Sequence, residues 1–199
     1  MKNRKSNKPL KTDQQAGFSL LEVVISGVIL MVGLIALLGV FALAIGTTQS
    51  VQLDQIAKQK AMDAMESIYT ARATQQITFA QIANTGAGGI FTTGTVNGIL
   101  TDGPDGLAGT ADDGTTPQGT CPLPYQCAIL PGPDGLLGTA DDVTIKLSNF
   151  TRTIAINNTF DALGNVNPDL KQVVVTIGYT DAHGAARSYV EQALISTYR

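Results

Sequence analysis

A long apolar run near the N-terminus constrains this chain more than any other feature. Between Phe18 and Ile45, 28 residues in all, the clearly polar side chains are those of Ser19, Glu22 and Ser26. A helix of this length extends roughly 42 Å at about 1.5 Å per residue, which exceeds the ~30 Å hydrocarbon core of a bilayer. The run therefore predicts a membrane-spanning segment.

The flanks of the run predict its orientation, and its single carboxylate predicts a partner. An ionised Glu22 near one end of the span costs on the order of a few kcal/mol unless it snorkels, is protonated or meets a cation. Five basic residues precede the run and only Asp13 opposes them, which places the N-terminus in the cytoplasm: Lys2, Arg4, Lys5, Lys8 and Lys11. The run is too long for the apolar region of an ordinary secretory signal, of about 7–15 residues, so we expect no cleavage downstream of it.

The residues around the start of the run resemble the type III signal sequences of type IV pilins and pseudopilins. The resemblance is carried by Gly17 followed by Phe18, with Glu22 four residues further on. It implies that a prepilin peptidase cuts between Gly17 and Phe18, that Phe18 is N-methylated, and that the apolar helix stays on the mature protein. It also implies that Glu22 pairs with the terminal amine of a neighbouring subunit, which fixes register in an assembly. The alternative is a plain single-pass anchor with Glu22 near the cytoplasmic headgroups.

Beyond Ile45 the helical pattern continues with one apolar face. Apolar residues recur at spacings of three and four, and no proline interrupts residues 18–75. One helix of about 55 residues is therefore expected. The predicted organisation is a cleaved basic leader, a transmembrane half of the helix, an amphipathic half, and one periplasmic or extracellular β-rich head: residues 1–17, 18–45, 46–75 and 76–199.

The head is predicted to be an antiparallel sheet that follows a loop-rich stretch. Residues 84–142 are rich in Gly, Thr, Asp and Pro, which is typical of loops and short hairpins. Strands are expected where β-branched residues are enriched, with a turn at 181–184: 142–147, 152–157, 172–180 and 187–196. The expected fold class is α+β, the pilin fold that the resemblance implies, with the long helix packed on about four strands. Residues 173–196 also look like the closing hairpin of PilV-type minor pilins and of secretion pseudopilins.

An eleven-residue sequence occurs twice in the head. Residues 103–113 recur as 132–142 with one difference, Ala108 against Leu137. Each copy carries one Asp in a Pro-Asp-Gly turn and two more seven and eight residues later, a set of hard oxygen donors that suits Ca²⁺. The spacing is not that of an EF-hand, so a calcium site would be irregular or shared, and the default expectation is a duplicated hairpin decoration. The candidate ligands are Asp102, Asp105, Asp112, Asp113, Asp134, Asp141 and Asp142.

The two cysteines and the charge balance restrict the partners. In an oxidising compartment Cys121 and Cys127 predict a small disulfide loop, which contributes about 2 kcal/mol. A metal site at this pair is disfavoured because the spacing is not C-x-x-C and His183 is far along the chain. The net charge is −3, and removal of residues 1–17 takes it to −7, so nucleic acid is not an expected partner.

The sequence offers no arrangement typical of an enzyme. His183 is the only histidine and falls in the expected turn, and the adjacent pairs Asp112–Asp113 and Asp141–Asp142 have no apolar, aromatic-lined pocket to raise a pKa. The Gly-rich stretch 86–89 lacks the strand, helix and lysine of a phosphate-binding loop. We expect no catalytic activity and no cofactor beyond the candidate Ca²⁺.

The resemblance to type IV pilins implies a structural minor pilin subunit of a type IV pilus, incorporated into the filament or priming it. Many major pilins carry proline where Gly39 stands, which favours a minor subunit. The first alternative is a pseudopilin of a type II secretion system, and the second is a membrane-tethered calcium-dependent adhesive or ligand-binding domain. Expected partners are prepilin peptidase, other pilin or pseudopilin subunits, the inner-membrane assembly platform and membrane lipid. The expected location is the inner membrane, single-pass, and then a periplasmic or cell-surface filament.

Overall fold

One uninterrupted helix, α1, runs from Leu20 to Ala73 in the computed structural model, which describes residues 19–198. Its 54 residues confirm the single long helix that the sequence predicts. The helix begins where the Ser19 carbonyl accepts hydrogen bonds from the amides of Glu22 and Val23, at 3.0 and 3.2 Å. It ends just before Gln75, whose φ of 64° is left-handed and cannot continue a right-handed helix.

The chain divides between Ile45 and Gly46 into two compact units. In the first unit the large apolar side chains of α1 are exposed, from 50 % at Ile25 to 84 % at Leu20. A window of 18 residues within α1 reaches a mean hydropathy of 3.0. By length and composition, α1 could therefore cross a membrane.

The second unit contains the C-terminal part of α1 and six strands. Four of the strands form an antiparallel sheet in the order β1-β4-β5-β6, and the other two pair with each other in a small separate sheet. The strands are β1 (Thr95–Asn97), β2 (Cys127–Leu130), β3 (Val143–Lys146), β4 (Thr151–Phe160), β5 (Val166–Thr180) and β6 (Ala186–Ser196). A long N-terminal helix packed on a four-stranded antiparallel sheet confirms the expected α+β class.

One expected strand lies in a different sheet from the one predicted. Residues 142–147 were expected to join the main sheet, but β3 pairs with β2, with Ile145 opposite Ala128. The fourth strand of the main sheet is instead the three-residue β1, within the stretch that the sequence predicts as loops, and its Val96 lies opposite Arg152. A three-residue strand is too short to show alternation, and the alternating Val-Thr-Ile-Lys of β3 does not specify its partner.

The core lies between one face of α1 and one face of the sheet. Strand β5 buries alternate residues, among them Val173, Val175 and Ile177 at 0 % exposure, as expected of a strand with one covered face. The facing residues of α1 are spaced by three and four and include four alanines, whose small side chains allow close approach to the sheet: Ile56, Ala57, Ala61, Ala64, Met65, Ile68 and Ala71.

Two aspartates shape the turns of the two long hairpins. In the β4–β5 turn, Asp161 Oδ1 accepts the amides of Leu163 and Asn165, at 2.8 and 2.9 Å. In the β5–β6 turn, Asp181 Oδ1 accepts the amides of His183 and Ala185, at 2.9 and 2.8 Å. These side-chain contacts are the local reason for the turn at 181–184, which confirms the sequence prediction.

Candidate functional site: the N-terminal helix and the duplicated loops

The predicted processing site lies at the edge of the described chain. Gly17 and Phe18 are outside the described residues, and Glu22 lies in the first turn of α1. The Ser26 hydroxyl donates to the Glu22 carbonyl at 2.7 Å, so that hydroxyl is satisfied within the helix. Within residues 19–198 the Glu22 carboxylate has no side-chain partner. In a bilayer, this carboxylate would need a partner from elsewhere.

Three glycines interrupt the apolar surface of α1. Gly27, Gly33 and Gly39 each face open space, with no atom within 4 Å of where a Cβ would stand. Small residues at such positions let another helix approach a backbone closely. The first half of α1 therefore offers an apolar surface with recesses suited to helix–helix contact.

The two copies of the repeat, residues 103–113 and 132–142, form two Asp-rich loops that have the same conformation in their first halves. Asp105 Oδ1 accepts the amide of Leu107 at 2.9 Å, and Asp134 Oδ1 accepts the amide of Leu136 at 2.8 Å. Each Pro-Asp-Gly turn is closed by a 3.0 Å backbone bond between its two flanking glycines. The second glycine of each turn has positive φ, 67° at Gly106 and 72° in the second loop, which a glycine adopts at low cost.

Their second halves also match. Asp113 Oδ2 accepts the amide of Gly109 at 2.8 Å, and in the second loop Asp142 Oδ2 accepts the amide of Gly138 at 2.7 Å. The Thr110 hydroxyl donates to Asp112 Oδ1 at 2.6 Å, and Thr139 donates to Asp141 Oδ1 at 2.6 Å. The threonine hydrogen bond is the main reason why the pKa of Asp112, and likewise that of Asp141, is lowered.

The expectation that each copy forms a small hairpin of its own is wrong. Residues 103–113 and 132–142 contain turns and no strand. Carboxylates bind the backbone amides that a strand ladder would otherwise use, which is how Asp competes with regular secondary structure. The second copy is instead most of the connection between β2 and β3, two strands that do form a hairpin.

The two loops differ in what surrounds them. In the first, Leu107 and Ala108 are each only 2 % exposed, and the Ala108 amide donates to Ser67 Oγ of α1 at 3.3 Å. In the second, Leu136 and Leu137 are 63 % and 66 % exposed. One backbone shape thus occurs once inside the core and once at the surface.

A buried arginine holds the first loop. Arg152 Nη2 lies 2.6 Å from Asp113 Oδ2, and Nη1 lies 3.9 Å from Asp102 Oδ1. Burial raises the pKa of Asp102 and of Asp113, and the Arg152 charge acts in the opposite direction on both. In the second loop the corresponding Asp142 has one enclosed oxygen, Oδ1, without a hydrogen-bond partner in the described chain.

The carboxylates of the candidate calcium ligands are used in hydrogen bonds and ion pairs within the head. Asp102 and Asp113 come together around Arg152, while Asp105, Asp112, Asp134, Asp141 and Asp142 bind loop amides or hydroxyls. Over residues 19–198, no three His, Cys, Asp or Glu side chains are grouped so that they could hold a metal ion. The geometry therefore supplies no observation in favour of a calcium site.

The predicted disulfide is present. Cys121 and Cys127 are bonded, with their Cα atoms 5.7 Å apart. The bond closes a short loop before β2, and the described chain has no free cysteine. The pair is structural, as the sequence predicts.

Sequence reasoning missed three polar residues that organise the head. Arg152 occupies an inward position of β4 together with Ile154, a signal that period-2 alternation contains. The Tyr179 hydroxyl donates to Asp54 Oδ1 at 2.9 Å, and burial together with Asp54 raises the pKa of Tyr179 to about 12. The Asn84 side chain bonds the Ile154 carbonyl and the Ile156 amide, both at 2.8 Å, so it pairs with β4 as a strand backbone would.

An open groove lies between α1 and the β2–β3 hairpin. Its volume is about 370 Å³, within the range of about 300–1,000 Å³ common for binding pockets. Six of the eight lining residues are apolar, and the other two are glutamines of α1: Gln49, Gln52, Leu53, Leu130, Pro131, Val143, Ile145 and Ala182.

Comparison with known proteins gave no relative. The chain matches no family model, no curated protein and no solved structure.

Proposed function

We propose that this chain is a pilin-like structural subunit, inserted in the inner membrane, cut between Gly17 and Phe18, and assembled into a filament through α1. Within that class we propose a minor pilin of a type IV pilus. Its work is assembly, and it has no catalytic step of its own.

The proposal rests mainly on the contrast between the two halves of α1. Large apolar side chains from Leu20 to Ile45 are half or more exposed, whereas from Ile56 onward one face of the same helix is covered by the head. Exposed apolar surface of that extent is stable only in lipid or against other apolar surfaces. A helix whose N-terminal half exposes its apolar side chains, and whose C-terminal half packs against the head, suits a subunit that leaves the membrane to join a helix bundle.

Glu22 supplies the specificity in this proposal. Leader removal creates a new amino group on Phe18, four residues before the carboxylate. In a bundle, the amine of one copy can neutralise Glu22 of its neighbour and so tie the two helices together. Buried charge pairs of this kind are best attested as devices that fix register.

The runner-up is a pseudopilin of a type II secretion system. It would use the same processing, the same apolar helix and the same α+β head. The two differ in where the filament ends, so antibody detection of the head on sheared cell-surface filaments favours the pilus. Loss of secreted proteins on deletion of the gene, without surface filaments, favours the pseudopilin.

Mass spectrometry of the protein isolated from cells tests the proposal. We expect a mature N-terminus at Phe18 with a methyl group on its amine. A Gly17→Val variant should keep its leader, and Ala16→Val, one residue upstream, is the control. Protein that still begins at Met1 would overturn the proposal.

A further inference from the structure

We propose that the second Asp-rich loop, residues 132–142, is a docking knob that places Leu136 and Leu137 in the groove between α1 and the β2–β3 hairpin of a second copy of this chain. The inference rests on the proposed function, because contacts between heads arise where copies stand side by side in an assembly.

The first loop shows what this backbone shape does when it is docked. Its leucine, Leu107, and the neighbouring Ala108 are 2 % exposed against α1, and its last carboxylate is paired with Arg152. The second loop presents a leucine at each of the two equivalent positions, and both are more than 60 % exposed. The knob therefore carries the apolar side chains of a docked loop without a surface to dock on.

The groove supplies that surface. Leu53 of α1, Leu130 of β2, and Val143 and Ile145 of β3 give it an apolar lining, and its volume of about 370 Å³ is open to solvent. Val143 is 52 % exposed, which shows that this wall of the groove is uncovered. Filling it with leucine side chains removes apolar surface of both copies from water.

Charge complementarity favours the same pairing. Asp142 Oδ2 of the knob accepts the Gly138 amide and meets no cation in the described chain, whereas the equivalent oxygen of Asp113 accepts the Gly109 amide and also meets the Arg152 guanidinium. Beside the groove, Ala182 follows Asp181, whose Oδ2 is 3.1 Å from Arg187 Nε. The Arg187 side chain is 62 % exposed, so its guanidinium is accessible to the carboxylate of an incoming loop.

The contact has the symmetry that a filament needs. Knob and groove consist of different residues of one chain, so a copy can place its knob on the next copy while it offers its groove to the previous one. A heterologous contact of this kind produces open-ended assemblies unless the rotation closes a ring.

Disulfide trapping between two full-length copies tests the proposal. One tagged copy carries Leu137→Cys and a differently tagged copy carries Val143→Cys, both at exposed positions, and membranes with both are oxidised. We expect a disulfide-linked species that bears both tags. The matched control replaces Leu137→Cys by Leu163→Cys, an 86 % exposed leucine in the β4–β5 turn. Equal yields from the two pairs, or no linked species from the first, would overturn the inference.

A loss-of-contact variant gives an independent measurement. Leu136→Ser combined with Leu137→Ser should weaken self-association of the full-length protein in detergent about tenfold or more, while Leu163→Ser should leave it unchanged. Unchanged association of the double variant would also overturn the inference.

The N-terminal mass, measured on the same samples, separates the two proposals. Protein that begins at Phe18 and gives no specific disulfide refutes the knob and leaves the pilin-like function standing. Protein that begins at Met1 refutes the function, whatever the disulfide result.

Discussion

Arg152 and Asp113 form an ion pair inside the head, with 2.6 Å between Nη2 and Oδ2 and side chains that are 4 % and 6 % exposed. The pair joins β4 to the first Asp-rich loop across 39 residues of sequence. Asp102 Oδ1 lies 3.9 Å from Nη1 of the same guanidinium. The first loop is thus held in place by the positive charge of Arg152, a residue of β4.

Arg152→Met should lower the free energy of unfolding by about 3–5 kcal/mol, because it leaves Asp113 buried without its cation. Urea denaturation of the full chain in detergent measures the change. Asp113→Asn should cost more than Asp142→Asn, the same substitution in the second loop, because only Asp113 forms an ion pair, with Arg152. A loss of under about 1 kcal/mol for Arg152→Met would show that the pair is replaceable.

The duplicated loops offer a matched comparison of core and surface leucines. Leu107→Ala should cost about 2–5 kcal/mol because Leu107 is buried and a cavity remains, whereas Leu136→Ala should stay within about 0.5 kcal/mol in the unassembled protein. Thermal and urea unfolding of the two variants under one condition checks this. Similar losses in both would mean that the second loop is also covered within a single copy.

The raised pKa of Tyr179 predicts a loss of stability at alkaline pH. Its pKa is raised from 10.0 to about 12 by burial and by Asp54, so the folded state holds its proton more tightly than the unfolded chain does. The stabilisation is fully present below pH 10 and is lost as the pH rises from 10 towards 12. Melting temperatures across that range should fall more steeply for the wild type than for Tyr179→Phe. Tyr189, whose pKa is also raised, is present in both chains and cancels.

The lowered pKa of Asp181 predicts a loss of stability at acidic pH. The Ala185 amide is the main reason why the pKa of its carboxyl is lowered, and Arg187 adds to the effect. A lowered folded pKa stabilises the protein above the ordinary value of 3.8, and this contribution disappears as the pH falls through the folded value. The wild type should therefore lose its advantage in melting temperature over Asp181→Asn below about pH 3.8. A difference that stays constant with pH would show that the carboxylate charge is not involved.

Glu22→Gln should separate processing from assembly. We expect normal leader removal, with a mature N-terminus at Phe18, and loss of the protein from filaments, because the amide cannot neutralise a neighbour's amine. Ser26→Ala is the matched control, since that hydroxyl is satisfied one turn back by the Glu22 carbonyl. Filament fractions probed with an antibody to the head measure the outcome. Incorporation of Glu22→Gln at the wild-type level would contradict the assigned role.

Structural features that depend on residues close together in the sequence were predictable from it. The helix over Leu20–Ala73, strands β4 to β6, the Asp181 turn and the Cys121–Cys127 bond all follow from local periodicity, turn chemistry or close spacing. Long stretches of consistent pattern specify such elements with little help from the rest of the chain.

Features that depend on distant residues were not predictable. Strand β1 exists because β4 offers it a partner, and β3 pairs with β2 although its own pattern would suit the main sheet equally well. The Asp113–Arg152 pair depends on a fold that brings together residues far apart in sequence. The repeat was evident, but its two environments were not, because 10 of the 11 residues are the same in both copies.

Within each loop, the side chains that set its shape are separate from the two apolar side chains, which are buried in the first loop and exposed in the second. Aspartates, glycines and a threonine hold the turns, while the two tip positions carry Leu-Ala in one copy and Leu-Leu in the other. In the proposed assembly, substitutions at the two exposed leucines of the second loop should therefore change its contacts with a neighbouring copy, while the aspartate hydrogen bonds keep the loop conformation. New binding preferences, natural or engineered, can arise at these two positions with little cost in stability.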